Sequence, residues 1–289
     1  MSHQDLHADV LIVGAGIAGV AIAERLAREA RTRGNPLSII VADAAPQIGT
    51  GSSAGLQGWY HSGALYATLQ SAESRRVCES AADEMRNAYG HGSGFAHADA
   101  CNITIDSHSP GQWLGAPVTF LVDQPRPGAD PARQRLLQAI IDGAPNARRE
   151  QSAAEYVKVP TRDRSMSTRH VLRDFVRSSD HLGVRYLMSA RLQSISPSRV
   201  ASFADVRPGG SHTRVRAQRV IYTAGHNTTD LPGINPPALS RRLAIILSVT
   251  PAFSTQNIVR VSADDHNNIS CLRHETPSAS FSALGDSTH

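Results

Sequence analysis

The chain has 289 residues, 40% hydrophobic and 19% charged, with a formal net charge of +4. That length can bury a substantial core and suits one large or two intertwined domains, and the composition is that of an ordinary soluble globular protein. The basic residues number 29, of which Lys158 is the sole lysine. They are dispersed, with Arg149, Arg162, Arg164 and Arg169 as the nearest approach to a cluster, so they read as a solvated surface and argue against a nucleic-acid partner.

Cys78, Cys101 and Cys271 are far apart and form no CxxC pair, which argues against a disulfide framework and a thiolate metal site and fits a reducing compartment. The stretch ahead of the first apolar strand leaves no room for a secretory leader, and the late apolar run LAIILSV (243–249) is too short to span a bilayer. No transmembrane segment and a cytoplasmic location are therefore expected.

In chain order, ADVLIVGAGIAGVAIAERLAREARTRG predicts a strand, a glycine turn and a helix. Val10 to Val13 form a continuous apolar run, as in a strand of a parallel sheet covered on both faces. Gly14, Gly16 and Gly19 follow as GxGxxG, and Ile17, Val20, Ile22 and Leu26 then fall at helical spacing until Gly34-Asn35-Pro36 ends the helix. A second apolar strand, LSIIVAD, ends at Asp43.

These elements have the physics of a dinucleotide site. The first glycine makes the tight turn, the second lets a pyrophosphate approach the backbone, and the third lets helix and strand pack closely. Asp43 sits where a carboxylate accepts hydrogen bonds from the adenosine ribose.

Residues 44–72 then carry no formal charge, yet they are rich in glycine and hydroxyls and contain one histidine. Too polar and too broken by glycine for core, the run is either a surface loop or a segment that something approaches closely. A helical stretch, TLQSAESRRVCESAADEMRNAY, follows. His91, His97 and Cys101 could be drawn as a metal set, but they lack a fourth ligand, and no metal is expected. Farther on, MSTRHVLRDFVRSSDHLGVRYL predicts a helix with Val171, Leu172, Phe175 and Val176 on one face, a turn at Gly183 and a strand. Short strands broken at Pro197 and Pro208-Gly209-Gly210 come next, and then RVIYTAGHNT, a strand ending in an Ala-Gly turn.

With its charge-free run GSSAGLQGWYHSGALY, the sequence resembles the FAD-dependent oxidoreductases of the D-amino-acid oxidase type. It is most similar to the branch that oxidises glycerol 3-phosphate and L-2-hydroxyglutarate, where a histidine, a small residue, Gly and then Tyr recur, here His61-Ser62-Gly63 and Tyr66. The resemblance implies an α/β chain: a Rossmann-like FAD-binding domain with a parallel sheet and an antiparallel meander, interleaved with a smaller α+β substrate domain. The expected boundaries are 5–90 and 160–232 for the FAD-binding domain and, by elimination, 91–159 and 233–289 for the substrate domain.

It further implies that Ser52 and Ser53 lie near the FAD pyrophosphate and ribityl chain and His61 and Gly63 near the isoalloxazine ring. The backbone of Leu192 would meet adenine, and the Thr223-Ala224-Gly225 turn would run beneath the cofactor. On this reading the charge-free run is a low-dielectric cradle for a planar ring.

Flavin oxidation of an alcohol or amine moves a hydride from the substrate carbon and leaves one proton to be managed. For an alcohol, His61 is the candidate base; equally, it could hydrogen-bond a backbone group beside the cofactor. Arg273 is a candidate to hold a substrate carboxylate, with His274 and Tyr66 as polar neighbours.

The expectation is an FAD-dependent dehydrogenase or oxidase of a small hydroxy acid or amino acid, with oxygen or a quinone as electron acceptor. The alternatives are a flavin-binding remnant without turnover and a nucleic-acid-modifying protein on a dinucleotide fold. LRHETPSASFSALGDSTH is similar to the family segment before its last glycine-rich cofactor turn, and that turn does not follow. The resemblance therefore implies weaker FAD retention and a tendency to associate.

Overall fold

A computed structural model describes residues 3–53, 55, 58–61, 76, 80, 105, 114–124, 128, 131–142, 156–232, 246–252, 256–261, 269–275 and 280–286. The chain divides into two compact units, Met1–Gly55 with Ile105–Gly111 and Thr168–Arg242, and Leu56–Thr104 with Gln112–Ser167 and Leu243–His289. The charge-free run is thus shared, 49–55 going with the first unit and 58–61 with the second.

The first unit is built on β1 (His3–Val13), α1 (Ile17–Thr32) and β2 (Ile39–Ala42). Alternation along β1 explains its apolar run. Val10 and Ile12 face a cluster with Ala23 and Ala27 of α1 and with Val41, while Leu11 and Val13 face a second cluster on the other side. A strand buried on both faces has no polar face to show, as the sequence indicates. The helix stops at Thr32, and Gly34, at φ +74°, turns the chain toward β2.

The remaining strands complete a six-stranded mixed α/β sheet. β6 (Arg185–Leu187), β2, β1 and β9 (His212–Tyr222) run parallel, and β9, β8 (Val200–Asp205) and β7 (Ala190–Ile195) form an antiparallel meander. The breaks expected at Pro197 and at 208–210 fall between β7 and β8 and between β8 and β9. α3 (Thr168–His181) buries Val171, Leu172 and Phe175, with Ser178 and Ser179 one turn on; Val176 is only half-buried. The register of β1 on β9 brings Val13 opposite Tyr222, and Val13 pairs with Ala42 on the other side. Three parallel strands therefore end at one edge, where an open α/β sheet binds ligands.

Tyr186 of β6 packs beneath this sheet with its hydroxyl 2.6 Å from Ser179 Oγ. Burial pushes its phenol up to about 12, with the Ser179 hydrogen bond acting in the opposite direction. Because the folded value lies above that of the unfolded chain, the contribution is intact below pH about 10 and is lost as pH rises toward 12. The Tyr186→Phe variant should therefore lose less stability than the parent over that window, as measured by denaturant unfolding at a series of alkaline pH values.

The second unit holds a seven-stranded sheet. β3 (Trp59–Tyr60) lies at one edge beside β5 (Tyr156–Met166), followed by β4 (Leu114–Asp123), β11 (Asn257–Val261), β12 (Ile269–Glu275), β13 (Ser280–Asp286) and β10 (Ile246–Val249). Only the β4–β11 pair is parallel. Period-two burial of Val118, Phe120 and Val122 against Val157, Val159, Val259 and Val261 makes the core, and Leu137 and Ile140 of α2 (Pro131–Asp142) belong to it. Among the described residues, no helix is long and apolar enough to cross a membrane.

Candidate functional site

The glycine turn between β1 and α1 is shaped by contacts that leave no room for side chains. Gly14 has φ +115°, and a Cβ there would lie 2.5 Å from the carbonyl oxygen of Thr223. A Cβ on Gly19 would lie 1.9 Å from the Gly14 carbonyl oxygen and 2.8 Å from Thr223 Oγ1. At Gly16 the only neighbour among the described residues is Ser53 Oγ, at 3.1 Å. The three glycines thus divide as their spacing predicts: a turn, an open approach to the backbone, and a close helix-to-strand contact.

Two side chains fix the turn. Asp43 Oδ2 accepts the Ala15 N–H at 2.6 Å and Oδ1 accepts the Ala45 N–H at 2.7 Å. Ser53 Oγ accepts the Ile17 N–H at 2.9 Å, and the Gly49 N–H donates to the Ala15 carbonyl at 2.9 Å. Ala18 and Gly19, in the first turn of α1, have no intrahelical acceptor for their N–H groups, and that end of the helix carries its positive pole. Thr223 closes the arrangement from β9. Its N–H donates to the Val13 carbonyl at 2.8 Å, and its hydroxyl to the Gly14 carbonyl at 2.8 Å.

Gly14, Asp43, Leu192 and Ala224 line one cavity of about 280 Å³ at the carboxyl edge of the sheet. Arg191, Asn227 and Asp230 complete its polar wall; sequence reasoning missed all three, and only their nearness to Leu192 and Gly225 hinted at them. Asp43 therefore clamps the glycine turn as well as lining the cavity, and each carboxylate oxygen keeps a second lone pair. Gly225, at φ +58°, opens the 3-10 turn Gly225–Asp230. Ser52 is not part of the cavity; its carbonyl accepts the Gly55 N–H at 3.2 Å.

A wider cavity of about 610 Å³ lies elsewhere on this unit, beside His7, Ser38, Arg199 and Arg216. Its polar groups serve the fold: Arg199 donates to the Gln218 carbonyl, and Asp9 accepts from Ser38 N and Gln218 Nε2. The smaller cavity is the one that borders the glycine turn, with Val13 and Gly14 in its lining.

In the second unit, His61 follows β3. Its ring stacks on Trp59 with centroids 4.2 Å apart, and Trp59 meets Phe120 edge-on in the core. His61 Nδ1 lies 3.8 Å from Oδ2 of Asp163, a fully buried carboxylate that also accepts the Trp59 Nε1–H at 2.8 Å. Trp59 is buried and β3 is paired with β5, so this half of the charge-free run is no surface loop. Asp163 was missed because TRDRS reads as a charged surface. The available signal was period two, which puts Thr161, Asp163 and Ser165 on one face of β5 and Arg162 and Arg164 on the other.

Arg273 lies on β12 opposite Ser282, and His274 opposite Phe281. Gly63 and Tyr66 lie outside the described residues, as do Ser62, His91, His97 and Cys101. Among the described residues, no group of His, Cys, Asp or Glu gathers as a metal site.

A parallel sheet with a glycine turn, a helix N-terminus and a clamping acid at its carboxyl edge defines a dinucleotide-binding protein. The chain belongs to the FAD dependent oxidoreductase family, DAO, whose model matches residues 9–273. FAD is the cofactor, and the residues present fit it: a Gly16 with only Ser53 Oγ near its Cβ position among the described residues, N–H donors at the start of α1, and a cavity bordering the glycine turn. No curated protein matches the sequence.

Among solved structures, L-proline dehydrogenase from P. horikoshii is similar at TM-score 0.61 and 12% identity, over 98% of this chain and 70% of the other. Glycine oxidase from Geobacillus kaustophilus is similar at 0.58 and 14%, over 96% and 70%. L-alpha-glycerophosphate oxidase from Mycoplasma pneumoniae, with FAD bound, is similar at 0.58 and 11%, over 96% and 71%.

Proposed function

We propose that this FAD-dependent oxidoreductase oxidises a small hydroxy acid or amino acid, with oxygen or a quinone as the final electron acceptor. The reading rests above all on the glycine turn, whose contacts with Thr223, Asp43 and Ser53 hold an open backbone and a helix N-terminus beside one cavity. FAD, when bound, supplies the acceptor for the hydride leaving the substrate carbon. Gly16, Ser53 and the N–H groups of Ala18 and Gly19 hold the pyrophosphate, Asp43 the ribose, and Leu192 with Ala224 the adenosine side. Ser52, Gly63 and Gly225 complete the cofactor contacts, following the family resemblance. On this reading residues 5–90 and 160–232 form the FAD-binding domain and 91–159 and 233–289 the substrate domain.

The substrate side draws on His61, Tyr66 and Arg273. His61 accepts the proton of a substrate hydroxyl, and Arg273 pairs with a carboxylate. The His61-Ser62-Gly63 and Tyr66 pattern favours the hydroxy-acid and glycerol-phosphate branch, while two of the structural neighbours named above act, by their names, on amino acids. Dispersed cysteines suit a cytoplasmic enzyme.

Purified protein loaded with FAD, kept anaerobic and challenged with hydroxy acids and amino acids, should lose its visible flavin band with at least one of them. Binding of FAD without reduction by any member would leave a flavin-binding remnant. NAD binding with no affinity for FAD would overturn the cofactor assignment, and salt-sensitive RNA binding would favour the nucleic-acid reading. With a hydroxy-acid substrate in hand, His61→Asn should slow flavin reduction about 100-fold while FAD stays bound. An unchanged rate would remove His61 from the chemistry.

A further inference from the structure

The His61–Asp163 pair has the geometry of a base that has been told which nitrogen to use. The side chain of His61 is 29% exposed, yet its Nδ1 is buried, so the exposed area belongs to the rest of the ring. Nδ1 faces Asp163 Oδ2 at 3.8 Å. The carboxylate is fixed: it accepts the Trp59 indole N–H at 2.8 Å, and its own N–H donates to Thr161 Oγ1, which in turn donates to the Val118 carbonyl. The imidazole is held in plane by its stack on Trp59, at an interplanar angle of 28°. Arg164, the next residue on β5, donates its Nε–H to the Gly115 carbonyl at 2.7 Å.

We propose that Asp163 is the positioning residue of His61, holding the ring proton on Nδ1 so that Nε2 presents the lone pair that takes the substrate proton. A charge in a low-dielectric setting favours an N–H dipole directed at it and disfavours a lone pair there. Of the two neutral tautomers, the Nδ1–H form directs its dipole at Asp163, 3.8 Å away and beyond hydrogen-bond distance, and leaves the lone pair on Nε2. Once Nε2 is protonated the imidazolium lies beside the buried Asp163 carboxylate, which favours the charged state without either group moving far.

The proton balance is simple. The substrate O–H bond would break as Nε2–H forms, the pair left on oxygen would become the second bond of the carbonyl, and FAD, when bound, would supply the two-electron acceptor for the hydride leaving the carbon. Asp163 touches none of the reacting atoms. The assignment of a base role rests on the reading of His61 given above; the tautomer does not.

The test is 15N NMR of the histidine ring nitrogens in the full chain loaded with FAD, with the His61→Asn spectrum identifying the His61 signals. At a pH where His61 is neutral, its proton should reside on Nδ1. Trp59 Nε1 and His61 Nδ1 both face Oδ2, so in Asp163→Asn the amide oxygen keeps that place and the Trp59 bond while the negative charge is lost; the preference for Nδ1–H should weaken and the Nε2–H population rise. Asp163→Glu should restore the Nδ1–H form. With a hydroxy-acid substrate, Asp163→Asn should slow flavin reduction about 100-fold with KM and FAD binding little changed.

A wild-type His61 carrying its proton on Nε2 would overturn the proposal even if Asp163→Asn fails to fold, and so would a folded Asp163→Asn with unchanged tautomer populations. A tautomer that switches as expected with no change in rate would uphold the pairing and overturn the base role instead.

Discussion

Gly19→Ala is expected to abolish FAD binding and to lower the unfolding free energy by about 3 kcal/mol. The new methyl group would lie 1.9 Å from the Gly14 carbonyl oxygen and 2.8 Å from Thr223 Oγ1. The nearer of these is backbone, so no rotamer change relieves the overlap, and α1 must move away from β1. Alanine gains about 1 kcal/mol over glycine in a helix interior, which offsets part of the cost but cannot supply the missing space. The movement also pulls the first turn of α1 from Asp43 and Ser53, which accept the Ala15 and Ile17 N–H groups and, in the proposed function, position the donors for the pyrophosphate.

Gly16→Ala provides the contrast. Among the described residues its Cβ meets only the Ser53 hydroxyl, at 3.1 Å. Stability should therefore fall little, while the methyl group stands where the proposed function has the cofactor approach. Thermal unfolding and FAD titration on both variants separate the two effects. A Gly19→Ala protein that melts with the parent and binds FAD equally well would refute the packing role.

The first unit was legible because its signals are local. The apolar run at 10–13, the GxGxxG spacing and an acid closing the second strand each lie within a few residues of the feature they specify. What each group does there depends on partners far along the chain. Asp43 reaches back 28 positions to Ala15, and Thr223 meets Gly14 only because β9 lies parallel beside β1 in full register. The same limit hid Asp163, which meets Trp59 across 104 positions. The period-two split in TRDRS separates two faces of β5 but does not say which of them is turned inward. Arg273 illustrates the reverse: a single arginine on a strand carries no local mark of what it faces.

Glu24 is the sharpest case of a long-range decision, and removing its partner should have the second large effect. With Arg28 one turn ahead, it reads as an ordinary solvated i,i+4 pair, worth about 0.5 kcal/mol at most. Instead Glu24 is fully buried where α1 meets α3. Its Oε1 takes Arg28 Nε–H at 2.7 Å and the Ser178 hydroxyl at 2.7 Å, and Arg28 also donates to the Ile105 carbonyl at 3.0 Å.

Arg28→Met leaves that carboxylate without its guanidinium in a dry contact. It should cost about 3 kcal/mol, the lower part of the range for a broken buried pair, because the Arg28 side chain is itself 36% exposed. Glu24→Leu combined with Arg28→Met removes the stranded charge along with its partner and should recover most of the loss. Denaturant unfolding of the two single variants and the double variant gives the coupling directly. An Arg28→Met variant within about 0.5 kcal/mol of the parent would mean that the pair behaves as the surface pair its spacing suggests.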